Sequence, residues 1–402
     1  MTDLRPYQVD IINECRRKLA DGIFRICIVA PTGSGKTIVF SEIVRSAVER
    51  EKRALILAHT REIVRQTSNK LQAVDVPHGI IMVTETVRQY EPVQVASIQT
   101  FWTRIMRTKR MEAPLADLIT VDECHHIRAN TWRKIIESYP GVPLIGLTAT
   151  PCRSDGRGLG SSFDELVECP QVAELIEQKY LVGTRTYAPT ELDLQGVRTH
   201  NGDYVVSELA ARIDTNPLVG DIISHWFKYA NGHKTIVFAV NVAHSRHIAD
   251  EFVKAGVKAE HLDGSTPKAV RDAILGRLES GETTIVVNCQ VLTEGYDLPA
   301  IGALVLARPT KQMGLYRQMV GRGLRPAEGK TSLVVLDHSS AIYRHCVEDP
   351  VETRLVRLQI QGAVWPLAAA HPANTHRTNK EVLSWIRSRN IAFAKSRKAG
   401  AA

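Results

Sequence analysis

Three short runs of this 402-residue chain carry side chains whose types and spacing suit phosphate chemistry. The first is APTGSGKT, Ala30 to Thr37. Gly33 and Gly35 have no Cβ, so a loop running through Pro31, Thr32, Gly33, Ser34 and Gly35 can turn backbone N–H groups onto an anion. Lys36 can then reach the β- and γ-phosphates of a nucleoside triphosphate, and the Thr37 hydroxyl can ligate Mg²⁺. A helix starting there aims its positive end at the same anion. Ala30 stands where the bare pattern asks for glycine, and it is small enough to fit. The bland alternative is a chance glycine-rich turn. It is disfavoured by the strand-like run before the loop and the helix-like run after it.

The second run is VDECHH. Asp122 closes an apolar run, where it can hold Mg²⁺ through water, and Glu123 can orient or deprotonate an attacking water. An exposed acidic turn is the competing reading. Cys124, His125 and His126 have metal-ligating side chains, but no other ligand cluster accompanies them, so His125 is read as a coupling or capping residue. The third run is QMVGRGLRP, Gln318 to Pro326. Arg322 and Arg325, three apart on an expected helix, would share a face with Gln318 one turn earlier and supply positive charge to a phosphoryl group. Gly321 and Gly323 would allow close approach. A solvated basic helix is the alternative.

These residues need a scaffold, and the apolar pattern provides one. RICIVA, ALILA, VQVAS, LITVD and LIGLT in the first half, and TIVFA, TIVVN, ALVLA and LVVLD in the second, are continuous apolar runs. Such runs fit strands buried on both faces of a parallel sheet. Helical stretches alternate with them, as in TIVFSEIVRSAVERE, where Ile38, Val39, Ile43, Val44, Ala47 and Val48 share one face. Strand and helix alternate twice over, which predicts two α/β domains. The expected boundaries are 1–183 for the first domain, 184–216 for a linker, 217–341 for the second and 342–402 for a C-terminal extension with a basic tail. In α/β sheets the carboxyl ends of strands line the ligand crevice, so Lys36 and Asp122 belong at one edge of the first sheet.

Composition narrows the class. The hydrophobic share of 44% and charged share of 23% are those of a globular protein with a real core. No run of 18 apolar residues is present, so no membrane span is expected, and the N-terminus lacks the apolar stretch of a secretion signal. The seven cysteines are scattered and never form C-x-x-C, which points to a reducing, cytoplasmic setting. A net charge of +8 suits a polyanionic partner. Trp132 and Trp226 lie in helical patterns that favour packing over base stacking. Nothing in the sequence demands an oligomer, and a monomer is compatible with it.

Together these motifs resemble the superfamily-two helicases with a DECH or DEAH-type second motif. The resemblance runs from about Arg5 to Pro326 and leans toward bacterial and phage RadD-like and XPB-like members. It implies two tandem RecA-like domains with ATP and Mg²⁺ between them, and a nucleic acid, DNA favoured over RNA, as the track. RPYQ looks like the adenine-reading element, carried here by Arg5 and Gln8. Thr148 and Thr150 of TAT look like the link between hydrolysis and domain movement. LAHTREIVRQ, SIQTF and VFAVNVAHS resemble nucleic-acid-contacting motifs, which makes Thr60, Arg61, Gln99, Thr100 and Ser245 candidates for phosphate contacts. NCQVLTEGYDLP resembles the second domain's nucleotide-facing motif, with Gly295 and Asp297 as its candidates. The expectation is an ATP-dependent DNA helicase or translocase; an RNA helicase, or a motor subunit of a larger complex, are the alternatives.

Overall fold

The structure, a computed structural model, describes residues 4–83, 85, 88–124, 130–149, 159–160, 162–188, 192–200, 202–292, 298–345, 353–355, 359–360 and 363–364. Its contacts divide the chain into two compact units, Met1–Gln171 and Val172–Ala402. Among the described residues no helix is long and apolar enough to cross a membrane.

The first unit is built on seven strands: β1 (Arg25–Val29), β2 (Ala54–Ala58), β3 (His78–Ile81), β4 (Val93–Ser97), β5 (Leu118–Val121), β6 (Leu144–Thr148) and β7 (Glu165–Glu168). Their order is β3-β4-β2-β5-β6-β1-β7, and every pairing is parallel. The ALILA run of β2 is buried at every position, as a strand covered on both faces requires. One face packs Leu55, Leu57, Ile119 and Val121 against Phe101, Trp132 and Ile135. Trp132 is therefore core, as its helical pattern predicts. The order has a direct consequence for chemistry. It sets β5, β6 and β1 side by side, so the loops leaving their carboxyl ends emerge together. Those loops begin with Asp122, Ala149 and Ala30.

The second unit repeats the plan with β8 (Gly183–Tyr187), β11 (Thr235–Phe238), β12 (Ala259–Leu262), β13 (Ile285–Asn288), β14 (Ala303–Leu306), β15 (Ser332–Asp337) and β16 (Thr353–Leu355). A two-stranded hairpin, β9 (Thr199–His200) and β10 (Asp203–Tyr204), lies between β8 and β11 in sequence. The sheet order is β12-β13-β11-β14-β15-β8-β16, again wholly parallel. Its core joins Val237, Ile285, Val305 and Leu336 to Trp226 and Phe252 of the covering helices.

Two expectations need correction. The segment 184–216 is not a linker: Gly183–Tyr187 pairs in register with Ser332–Leu336, and the division between units falls earlier, after Gln171. Its signal was period-two alternation, with Thr184 and Thr186 buried and Arg185 exposed, in place of a continuous apolar run. The run FDELVE reads as a strand returning to the first domain and forms β7 there, whereas β3, β12 and β16 escaped the apolar-run pattern. All three, like β7, lie at sheet edges, where one side has no neighbouring strand and polar residues are tolerated.

Candidate active site

The phosphate loop takes its shape from glycine. Gly33 has φ +91° and Gly35 φ +84°, a region in which a side chain costs about 1–2 kcal/mol. Between them Ser34 folds back, its N–H and hydroxyl both donating to the Pro31 carbonyl at 3.2 and 2.7 Å. Gly35 caps the 13-residue helix Lys36–Val48, so that helix's free N–H groups face the loop. At the other end Ala30 N–H donates to the Thr148 carbonyl at 2.9 Å, tying the loop to β6. The cradle fits a polyphosphate. It also holds the Thr32 hydroxyl, a buried oxygen with no hydrogen-bond partner among the described residues.

Lys36 reaches across to the end of β5, where its Nζ lies 3.4 Å from Glu123 Oε1. Both side chains are largely buried, so in the absence of phosphate each charge offsets the desolvation of the other. Glu123 has φ +48°, a left-handed conformation that a non-glycine residue adopts at a cost of order 1–3 kcal/mol. The Asp122 carboxylate braces that turn by accepting from Glu123 N–H at 2.9 Å. Behind it Cys124 packs its buried thiol 3.6 Å from Cys27 Sγ, and burial pushes that thiol well above its ordinary range. Lys36, Thr37, Asp122, Glu123 and Thr148 thus meet at one edge of one sheet. His125, Thr150, Gly295 and Asp297 lie outside the described residues, as does His126.

The RPYQ element braces the loop from the N-terminal side. Gln8 is fully buried: its amide oxygen accepts from Arg5 N–H at 3.0 Å, and its amide nitrogen donates to the Ser34 carbonyl at 3.2 Å. Tyr7 adds a hydroxyl to the same carbonyl at 2.5 Å, a contact that sequence reading missed because it singled out only Arg5 and Gln8. A Cβ on Gly35 would come within 2.5 Å of the Gln8 amide, so the element and the loop are fitted to each other.

The candidates for nucleic-acid contact separate into two groups. Thr60 caps the helix Arg61–Ala73 by accepting from Ile63 N–H at 3.2 Å, and Arg61 is exposed beside it. Gln99 is exposed and links two strand ends, donating to the His59 carbonyl at 3.0 Å and accepting from the Ser97 hydroxyl at 2.9 Å. Thr100 and Ser245 are different, and for them the expectation is corrected. Thr100 is 4% exposed and Ser245 0%, so neither offers a surface to phosphate. Ser245 instead lies 2.7 Å from His261 Nδ1, whose Nε2 lies 3.0 Å from Asp263. That geometry resembles a Ser-His-Asp relay, but the serine is wholly buried. The relay ties the helix Val242–Lys254 to the end of β12.

In the second unit the expected arginine helix stops short. It runs Met313–Gly321, with Gln318 buried within it and Arg322 as its cap. The N–H groups of Arg322 and Gly323 turn to the carbonyls three residues back, Met319 and Val320, which tightens and ends the helix. Arg325 therefore sits in the loop beyond, half-buried, where burial pulls its guanidinium down to about 10. Gly323 is pressed against Leu333 so closely that any Cβ would collide with it. Sequence reading also missed Lys330, whose Nζ donates to the carbonyls of Pro299 (2.9 Å), Gly323 (2.7 Å) and Arg325 (2.9 Å). In the same unit, Asn288 closes β13 by donating to Val237 O at 2.9 Å and accepting from Leu292 N–H at 3.1 Å.

Comparison with known proteins agrees with this layout. A family model described as "Type III restriction enzyme, res subunit" matches residues 1–153, and one described as "Helicase conserved C-terminal domain" matches residues 218–327. A 51.5 kDa protein of a Lactococcus phage is 34% identical over 308 residues, covering 77% of this chain and 64% of its own length. IRC3 of Saccharomyces cerevisiae, named as an ATP-dependent helicase, is 31% identical over 362 residues, covering 84% of this chain and 52% of its own. The chain thus spans between half and two thirds of these relatives. Among solved structures, a fragment of an HsdR subunit of a type I restriction enzyme from Vibrio vulnificus superposes with a TM-score of 0.67 at 25% identity, over 86% of this chain and 66% of that one. With both halves matched in order on two parallel-sheet units, the chain has the two-part core of a superfamily-two helicase.

Proposed function

We propose that this chain hydrolyses ATP to drive movement along nucleic acid, with DNA as the track. The observation that carries the reading is the Lys36–Glu123 pair, 3.4 Å apart at the end of the glycine-shaped loop. On binding ATP, Lys36 leaves the carboxylate for the β- and γ-phosphates, and Glu123 is freed to take a proton from the attacking water. Thr37 and Asp122 would hold Mg²⁺, which neutralises charge developing on the phosphoryl oxygens. Arg322 and Arg325 of the second unit supply further positive charge to the transition state, an effect worth about 10³–10⁵ in rate for a trans-acting arginine. Because those arginines belong to the other unit, nucleotide state biases the units between two arrangements, which is what a translocating motor requires. Arg5 and Gln8 serve the adenine end, Gly295 and Asp297 the nucleotide from the second unit, and His125, Thr148 and Thr150 the coupling. Thr60, Arg61 and Gln99 are the phosphate contacts of the track. A cytoplasmic setting fits the cysteine pattern.

A second reading is favoured by the restriction-subunit match: the chain is the engine of a larger DNA-processing assembly and translocates without separating strands. Turnover of ATP with no nucleic acid, single-stranded DNA, duplex DNA and RNA, each at two salt concentrations, tests the first claim. DNA should stimulate more than RNA, and the stimulation should fall with salt as phosphate contacts weaken. Equal turnover in all arms would remove nucleic acid as the track. Strand displacement together with triplex displacement marks a helicase; triplex displacement alone marks the engine.

A further inference from the structure

Beyond a helix end, backbone carbonyls have lost their helical partners and must find others. In the arginine loop three consecutive carbonyls do so from two directions. Leu324 O accepts from Val182 N–H at 2.8 Å, while Gly323 O and Arg325 O both accept from Lys330 Nζ. The third donor of that ammonium goes to Pro299 O, at the end of the Asn288–Pro299 segment. An ammonium has three N–H donors, and all three are used on main-chain carbonyls, so Lys330 has none left for a phosphate. Its charge is also partly desolvated, and burial, with Arg325 beside it, pulls it down to about 8. A lysine held this way fixes main chain.

We propose that Lys330 is a positioning residue for ATP hydrolysis, pinning the arginine loop to the end of the Asn288–Pro299 segment so that Arg322 and Arg325 are presented in one fixed arrangement. The inference rests on the reading that those arginines act on the nucleotide. It assigns a role to a residue outside every motif quoted above, four positions past Pro326. Gly329, with φ +72°, and the Lys330 N–H bond to Ala327 O at 3.0 Å form the turn that brings Lys330 back onto the loop.

The test is a mutant cycle on the full chain, read as steady-state kcat and KM for ATP with saturating DNA, beside binding of a fluorescent ATP analogue. Lys330→Met keeps the aliphatic stem and removes the donors. It should lower kcat by about 10- to 100-fold, as small misplacements of catalytic groups do, with analogue affinity changed less than about threefold. Lys330→Arg, which restores charge and donors, should recover most of that loss. In an Arg322→Ala/Arg325→Ala background, Lys330→Met should have no further effect on kcat, whereas a residue that merely stabilises the fold would cost the same in both backgrounds. If Lys330→Met does not fold, Lys330→Gln carries the same cycle. Wild-type kcat in Lys330→Met (or in Lys330→Gln where it replaces it), or an equal loss in both backgrounds, overturns the inference while leaving the arginines in place. Wild-type kcat in the double arginine variant overturns the functional reading itself, and the inference with it.

Discussion

The two units hold their candidate charged residues in place by different means. In the first, the main chain does it: Gly33 and Gly35 take left-handed conformations, and Lys36 follows at the first turn of a helix. In the second, side chains hold the main chain: Lys330 gathers three carbonyls, and Gly323 gives Leu333 the room to pack. The difference teaches where each site should be vulnerable. A loop shaped by φ is damaged by adding a Cβ, and the damage falls on binding. A loop pinned by a distant ammonium is damaged by removing a donor, and the damage falls on the rate.

The largest expected effect is at Lys36. Lys36→Ala should reduce turnover by at least about a thousandfold, since it removes the cation on the β- and γ-phosphates, and DNA-stimulated phosphate release measures it. Residual turnover within tenfold of wild type, by order of magnitude, would place the chemistry elsewhere.

Next is a matched pair of glycine variants. Gly35→Ala forces a Cβ into a left-handed residue and onto the Gln8 amide, so nucleotide affinity should fall along with about 1–2 kcal/mol of stability. Gly323→Ala meets only the Leu333 side chain, an overpacking worth about 1–3 kcal/mol, and should lower kcat while leaving affinity near wild type. Urea unfolding and analogue titration of both variants read this out. If the two variants fail in the same way, the contrast between the units is wrong.

The smallest effect is on stability with pH. Burial pulls His338 down to about 3 and His244 to about 4, both in the second unit. For a histidine whose folded pKa is depressed, protonation favours the unfolded chain. Stability is therefore full above the unfolded value, about 6.5, and lost as pH falls from there toward the folded values. Each such group contributes at most about 1.4 kcal/mol per pH unit in that window. Unfolding at pH 7.5 and 5.5 should show acid weakening centred on Trp226, which is packed in that unit's core, and His338→Asn should reduce it. No change between the two pH values would contradict the buried, neutral state of these rings.

Much of this architecture was legible in the sequence, for reasons that differ by element. Interior strands such as ALILA announce themselves because burial on both faces demands unbroken apolar residues. Edge strands such as HGII and AEHL carry no such demand, and β8 alternates, so the boundary near residue 184 was misplaced. The phosphate loop was readable because glycine is the residue that such φ values favour. The arginine loop looks helical in the sequence because Arg322 and Arg325 are three apart, yet Gly321 and Gly323 end the helix there. Ser245 and Thr100 look like phosphate contacts in the sequence but are buried, since a polar side chain in a motif can serve the fold as readily as a ligand. Lys330 was invisible: its partners are carbonyls, which no residue type marks.

The central claim, that hydrolysis on the first unit's phosphate loop depends on an arginine from the second, is tested most directly by Arg322→Ala. The measurement is kcat for ATP with saturating DNA, beside analogue binding to the same preparation. A fall in kcat of about 10³-fold or more with affinity preserved is the result predicted for losing a trans-acting arginine. Turnover equal to wild type with affinity preserved would contradict it.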